Sequence, residues 1–198
     1  MTRDATGAAD TLITVRPALL EDASGITLVH ITAWQVAYRG IFPDRFLDDL
    51  SAGFDDRMKR WQVIITTPEQ PGSVTLVAER DGEILGWLSY GPSRDEDAPP
   101  AEGEVYGIYI HPEHWGSGAG HALMDQGTKE LRAAGYAEAT LWVLEDNPRA
   151  RRFYARHGWR EDGAIEEFER GGATAMELRY RRPLTDREGP ADRKGPAD

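Results

Sequence analysis

The residues that first suggest chemistry lie in the run Tyr109-Ile110-His111-Pro112-Glu113-His114-Trp115-Gly116-Ser117-Gly118-Ala119-Gly120-His121-Ala122-Leu123. Glycines at 116, 118 and 120 drop the side chain at alternate positions, so the backbone can approach a ligand closely and aim several N–H groups one way. A helix N-terminus adds a favourable dipole for negative charge, and a diphosphate is the natural guest of such a cradle. The competing reading is a glycine turn that binds nothing. The spacing fits neither the GxGxxG dinucleotide fingerprint nor the P-loop, which needs Gly-Lys-Ser/Thr.

Those residues need elements to hold them. Ile13 to Arg16 reads as a short strand. Glu21-Asp22 open a helix in which Ile26, Val29, Ala33 and Ala37 recur every three or four residues, and a second helix is expected over Arg45 to Ile65. Val74 to Arg80 and Ile84 to Tyr90 are β-rich runs around Asp81-Gly82, a pair that favours a tight hairpin. After an acidic loop from Gly91 to Gly103, Glu104 to Ile110 reads as a strand that leads into the glycine run. A helix from about Gly120 to Ala134 then ends at Gly135. Thr140 to Leu144 is apolar throughout, as befits a strand buried on both faces. Asn147-Pro148 is a good helix start, Asn as cap and Pro at the first position. Ala150, Phe153, Tyr154 and His157 line one face of that helix and Gly158 closes it. Trp159-Arg160 and Ala175 to Tyr180 supply the last strands. The order β-αα-βββ-α-β-α-ββ predicts an α/β fold, a mixed, mostly antiparallel sheet with helices on both faces.

At this point the sequence resembles the GNAT superfamily of acyl-CoA-dependent N-acetyltransferases, whose pyrophosphate loop reads (Gln/Arg)-x-x-Gly-x-(Gly/Ala) after a strand. Trp115-Gly116-Ser117-Gly118-Ala119-Gly120 occupies that loop, with Trp115 in place of the family's Gln or Arg. Ile13-Thr14-Val15-Arg16-Pro17 with Glu21-Asp22 is similar to the first strand and helix start. Ala33-Trp34-Gln35-Val36-Ala37-Tyr38-Arg39-Gly40 with Phe42-Pro43 resembles a common bacterial branch. Asn147 to Tyr154 with Gly158-Trp159 resembles the second conserved segment, and Glu177 to Arg182 the closing strand. The likeness covers about 170 of the 198 residues, in order.

The resemblance implies a splay between the strand Glu104 to Ile110 and the strand Thr140 to Leu144, with the pantetheine arm of acetyl-CoA in the gap. Backbone groups around Ile108, Tyr109 and Ile110 then pair with it as with an added strand. Trp115, Gly116, Ser117, Gly118, Ala119, Gly120 and His121 are expected at the diphosphate. Asn147, Arg149 and Arg152 are expected beside the arm and phosphates, where guanidinium groups suit anions. For Asn147 a plain helix cap, and for the arginines a solvated helix face, remain alternatives. Tyr154 matches the family's general acid, a phenol with an ordinary pKa near ~10 that stays protonated and can donate to sulfur, and a core aromatic beside Phe153 is the alternative. Glu104 stands where the family often has a carboxylate that takes the amine's proton; an end-of-strand carboxylate without a role is the alternative. Trp34 and Tyr38 are candidate walls for the acceptor.

Composition narrows the partners. With 23 basic and 34 acidic residues the formal charge is −11, which opposes a nucleic-acid backbone. The absence of cysteine excludes disulfides and thiolate metal sites, and no metal is expected. The polar start lacks a signal-peptide core and no apolar run approaches the length of a membrane span, so a cytoplasmic chain without membrane or nucleic-acid partners is expected. Segments 44–57, 95–104 and 161–170 carry −3, −5 and −4. They predict attraction of a cationic acceptor, against the plainer reading of charge as a solubilising coat. Segments 1–10 and 183–198 are expected to be disordered around a domain at 11–182. The resulting expectation is acetyl transfer from acetyl-CoA to a primary amine of a small molecule. A protein N-terminal or lysine acetyltransferase and a non-catalytic acyl-CoA-binding module are the alternatives, and a homodimer is left open.

Overall fold

The computed structural model describes residues 12–185. Seven strands form one sheet in the order β1-β2-β3-β4-β5-β7-β6: β1 (Thr14–Pro17), β2 (Val74–Arg80), β3 (Glu83–Pro92), β4 (Glu102–Ile110), β5 (Glu138–Leu144), β6 (Arg160–Arg170) and β7 (Ala173–Pro183). Every neighbouring pair is antiparallel except β4 with β5. The helices are α1 (Ala23–Ala37), α2 (Asp44–Asp48), α3 (Phe54–Thr66), α4 (Ala119–Ala133) and α5 (Pro148–Arg156). The expected α/β architecture is the observed one, and no helix among the described residues is long and apolar enough to cross a membrane.

Alternation along the strands sends side chains to two cores. Leu76, Leu88, Val105, Leu141 and Leu178 pack with Leu123, Met124 and Leu131 of α4 and Tyr154 of α5. On the other face Val77 and Trp87 meet Ala23, Ile26 and Val29 of α1 and Trp61 of α3. A third cluster joins Ile31, Phe42, Leu47, Leu50 and Leu144, with Trp34, Tyr38 and Phe168 against it. The tip of the β2–β3 hairpin holds Asp81 at φ 55° and Gly82 at φ 81°, the paired left-handed geometry that Asp-Gly favours.

Three boundaries differ from expectation. The second helix is broken: residues Asp49–Gly53 form a 3-10 turn between α2 and α3. Ser51 and Gly53 supply weak helical preference where the chain tightens. Strand β6 runs to Arg170 rather than stopping at Arg160, because β7 pairs with it down to the Gly171-Gly172 turn. The domain also extends past residue 182, since Pro183 ends β7, and the fully buried Leu184 donates its N–H to the Ala137 carbonyl at 2.9 Å. The expected disorder of 1–10 and of the tail from 186 lies outside the described residues.

Candidate active site

β4 and β5 pair over only three residues, Glu102 with Glu138, Gly103 with Ala139 and Glu104 with Thr140, although β4 continues to Ile110 and β5 to Leu144. Beyond Glu104 the β5-side edge of β4 has no strand partner among the described residues. A bulge contributes to the parting. Ser89 opposes Gly107 whereas Tyr90 opposes Val105, so Tyr106 is the extra residue, and such an insertion bends its strand. Tyr106 is fixed in place: its hydroxyl donates to the Pro92 carbonyl at 2.8 Å, and the Arg94 guanidinium lies 4.3 Å from its ring centre. An interior strand edge left unpaired is a ready partner for an extended amide-bearing chain.

One end of this gap is built from backbone. Gly116 and Gly118 adopt φ 86° and 95°, and a Cβ on either would meet nothing, so the need for glycine there is conformational. Gly120 is different, since its added Cβ would touch Phe153 at 3.4 Å and Ile110 at 3.5 Å. The α4 N-terminus opens directly onto this turn, with the Ala119 N–H reaching Ser117 Oγ at 3.3 Å. Trp115 donates its indole N–H to the Ile110 carbonyl at 3.0 Å, and Arg149 lies 3.7 Å over its ring. This residue thus pins the glycine turn to the end of β4 and holds a guanidinium beside it. Arg152 is exposed, with no ion pair among the described residues. Arg151, by contrast, turns to Glu161 at 2.8 Å and the Glu145 carbonyl at 3.1 Å. Asn147 Oδ1 accepts the Ala150 N–H at 3.0 Å and caps α5, and His121 Nδ1 lies 2.8 Å from His157 Nε2. Ile108 and Ile110 pack into the α4-side core.

The other end is built from side chains. His30, Trp34 and Tyr38 follow one another at helical spacing along α1 and its C-terminal cap. The His30 ring stacks on Tyr109 at 5.3 Å, Trp34 meets Tyr38 edge-on at 4.8 Å, and the Tyr38 and Tyr109 hydroxyls are 3.1 Å apart. The buried Trp34 indole nitrogen has no hydrogen-bond partner among the described residues. Burial, with a smaller effect from Arg57, lowers His30 to about 4, so its ring is neutral. Tyr154 is 7% exposed. Burial first, then the nearby Tyr109 and Glu177, raise its pKa, so it keeps its proton at neutral pH.

Glu104 departs from the free carboxylate expected of it. It is 1% exposed and lies in an ion pair with Arg94, whose backbone N–H also donates to Glu104 Oε2 at 2.8 Å. Arg94 lies in the loop before β4, too far in sequence for a spacing argument to reveal it. Sequence reasoning also gave no site role to His30 or Glu177, and counted Glu166 only within the acidic segment 161–170. The alternation of β7 puts Glu177 on the face opposite Leu178, which was the only available signal.

The acidic segments are largely answered by arginines. Arg179 binds Asp95 at 2.9 Å, Asp97 at 3.0 Å and Asp162 at 2.8 Å, Arg181 pairs with Glu102 and with Glu138, and Arg39 binds Asp44 at 3.0 Å and Asp48 at 2.8 Å. The negative excess counted along the sequence is therefore smaller in space. Glu166 and Glu177 stand apart, with no hydrogen bond or ion pair among the described residues.

Residues 33–159 match the Acetyltransferase (GNAT) family. This chain belongs to the GNAT acetyltransferase family. It is 33% identical over 138 residues to the uncharacterized N-acetyltransferase YuaI of Bacillus subtilis, covering 69% of this chain and 75% of that protein. It is 42% identical over 86 residues to the mycothiol acetyltransferase of Frankia alni, but this covers 40% of the chain and only 26% of that enzyme. Among solved GNAT structures, the PaiA N-acetyltransferase of Thermoplasma acidophilum, in complex with coenzyme A, superposes with a TM-score of 0.65 at 20% identity, covering 84% of this chain and 98% of that one. YncA of Salmonella typhimurium, with acetyl-CoA, gives 0.65 at 22%, covering 91% and 98%. At such identities the two structures establish the shared GNAT fold.

Proposed function

We propose that this GNAT enzyme transfers the acetyl group of acetyl-CoA to a primary amine on a small, cationic acceptor. The observation that carries the reading is the gap between β4 and β5, with a glycine-built anion cradle at one end and an aromatic, carboxylate-bearing pocket at the other. The pantetheine arm lies along the open edge near Ile108 and Ile110, the diphosphate sits on residues 116–121, and Arg149 and Arg152 face the phosphates. The coenzyme A and acetyl-CoA bound to the two GNAT neighbours support acetyl-CoA as the co-substrate.

Tyr154 is the acid. Buried and protonated, it gives its proton to the sulfur as the thioester breaks. Trp34 and Tyr38 wall the acceptor, whose positive charge is favoured by ring faces and by carboxylates not neutralised by arginine. Glu104, held by Arg94, orients the start of β4 rather than meeting the amine. The likeness to mycothiol acetyltransferases, named for a small-molecule acceptor, supports a small acceptor here.

The test is thiol release from acetyl-CoA with a panel of mono-, di- and polyamines beside a panel of peptides. Turnover with the amines is expected, fastest with those that carry a second positive charge. Activity confined to peptides would overturn the small-acceptor reading, and tight coenzyme A binding without thiol release from any acceptor would overturn the enzymatic one.

A further inference from the structure

An amine that arrives as an ammonium ion cannot attack a thioester until it loses a proton, so the acceptor end of the gap needs a base. Glu104 is occupied by Arg94. His30 is neutral but so weakly basic that an ammonium would not yield a proton to it. Two carboxylates without an arginine partner remain on this part of the sheet, Glu177 and the Glu166 that opposes it.

Glu177 lies on β7 directly between Leu144, the last residue of β5, and Glu166 of β6. Directly opposed residues of neighbouring strands share a face. Leu144 packs with Ile31 and Phe42, and Ala175, two residues before Glu177, packs in the same cluster as Trp34 and Tyr38. Glu177 is therefore on the acceptor face, where β5 ends beside the gap. It acts electrostatically on Tyr38, Tyr109 and Tyr154, and so lies within the field of the acid and of the aromatic wall together. Two carboxylates directly opposite one another across a strand pair repel, so each disfavours the other's ionised form.

Resting on the acetyl-transfer reading above, we propose that Glu177 is the base that takes the proton from the acceptor's ammonium, and that Glu166 is a positioning residue that sets its basicity. The charges that face Glu177 are Glu166 and Arg170 of β6, Glu104 of β4 and Arg94 of the preceding loop. Burial, then Glu166, push the Glu177 carboxyl up to about 7, against the opposing pull of Arg94 and Arg170. A carboxylate so tuned is basic enough to accept a proton and still returns it to water at neutral pH.

The step balances. The ammonium gives one proton to the Glu177 carboxylate, and the freed lone pair forms the N–C bond as the C–S bond breaks. Tyr154 protonates the departing sulfur and recovers its proton from the newly acylated nitrogen. Glu177 then releases its proton to solvent, so one proton leaves per turnover.

The experiment follows kcat and kcat/KM from pH 5.5 to 9.5 in the wild type, Glu177→Gln, Glu177→Asp and Glu166→Gln. The wild-type rate should rise with pH through about 7, the range to which Glu177 is pushed up, and then level. Glu177→Gln should lose kcat by about 10²-fold or more with little change in the KM for acetyl-CoA, and Glu177→Asp should recover part of it. Glu166→Gln should move the rising limb to lower pH, a displacement that a packing defect would not produce. Glu177→Gln with wild-type kcat and an unmoved limb would overturn the assignment while leaving acetyl transfer standing. Failure of the wild type itself with every acceptor would overturn both.

Discussion

The two ends of the β4–β5 gap are made by opposite means. At the end proposed for the nucleotide the groups on offer are backbone N–H donors, and side chains such as Trp115 and Ser117 serve to hold the turn in shape. At the end proposed for the acceptor the backbone is a scaffold, and the proposed work falls to rings and carboxylates from α1, β4, β6 and β7. A site made of backbone is set by local conformation, here by the left-handed Gly116 and Gly118. A site made of side chains from distant elements depends on the whole fold and on pKa values set by burial.

Substitutions separate the two ends. The largest effect belongs to the acid proposed to join them: Tyr154→Phe should lower kcat by about 10²- to 10⁴-fold and leave the KM for acetyl-CoA nearly unchanged in steady-state assays. A comparable loss of cofactor affinity would show that Tyr154 belongs to the nucleotide end instead.

The second concerns the acceptor end and acid. His30 has a folded pKa of about 4 against an ordinary 6.5, so the unfolded chain takes up the proton first as the pH falls. Its contribution to stability is whole above about 6.5 and is lost between there and about 4, at most about 3 kcal/mol. Urea melts at pH 7.5 and 4.5 should show this loss in the wild type, and a correspondingly shallower one in His30→Phe. Glu177 has the reverse sign. Its folded pKa of about 7 lies above an ordinary 4.5, so it costs stability once the pH rises from 4.5 through 7. Glu177→Gln should therefore melt higher than the wild type at pH 8 and no higher at pH 4, which a thermal scan at each pH will show.

A smaller change tests the support of β4. Arg94→Ala leaves the buried Glu104 carboxylate unpaired, and because Arg94 is itself half exposed the cost should be about 2 kcal/mol in a denaturant melt. The smallest lies at the nucleotide end. Trp115→Ala removes the bond to Ile110 and the platform under Arg149, so the KM for acetyl-CoA should rise several-fold, about 1 kcal/mol, with kcat retained.

This contrast also governs how much was readable from the chain alone. The glycine turn, the Asn147 cap and the Asp81-Gly82 hairpin depend on residues adjacent in sequence, and the structure holds them as the pattern implied. The second helix was read as continuous because apolar spacing persists across residues 49–53, and spacing does not register a tightened turn. β6 was cut short because Glu161 to Glu169 shows no apolar alternation; its strand form comes from pairing with β7. Glu104 and Glu177 look alike as letters. One meets an arginine ten residues away and the other an opposing glutamate across a strand pair, and only the assembled sheet distinguishes them.

β6 closes the sheet at one side, eleven residues long, with its outer edge unpaired among the described residues. An open edge of that length invites a second copy to add its own strand. A copy that docked there would bring Glu161, Glu166, Glu167 and Glu169 against an equally acidic strand. The same carboxylates that crowd this end of the protein thus set like charges against one another across any such added strand, which opposes that pairing.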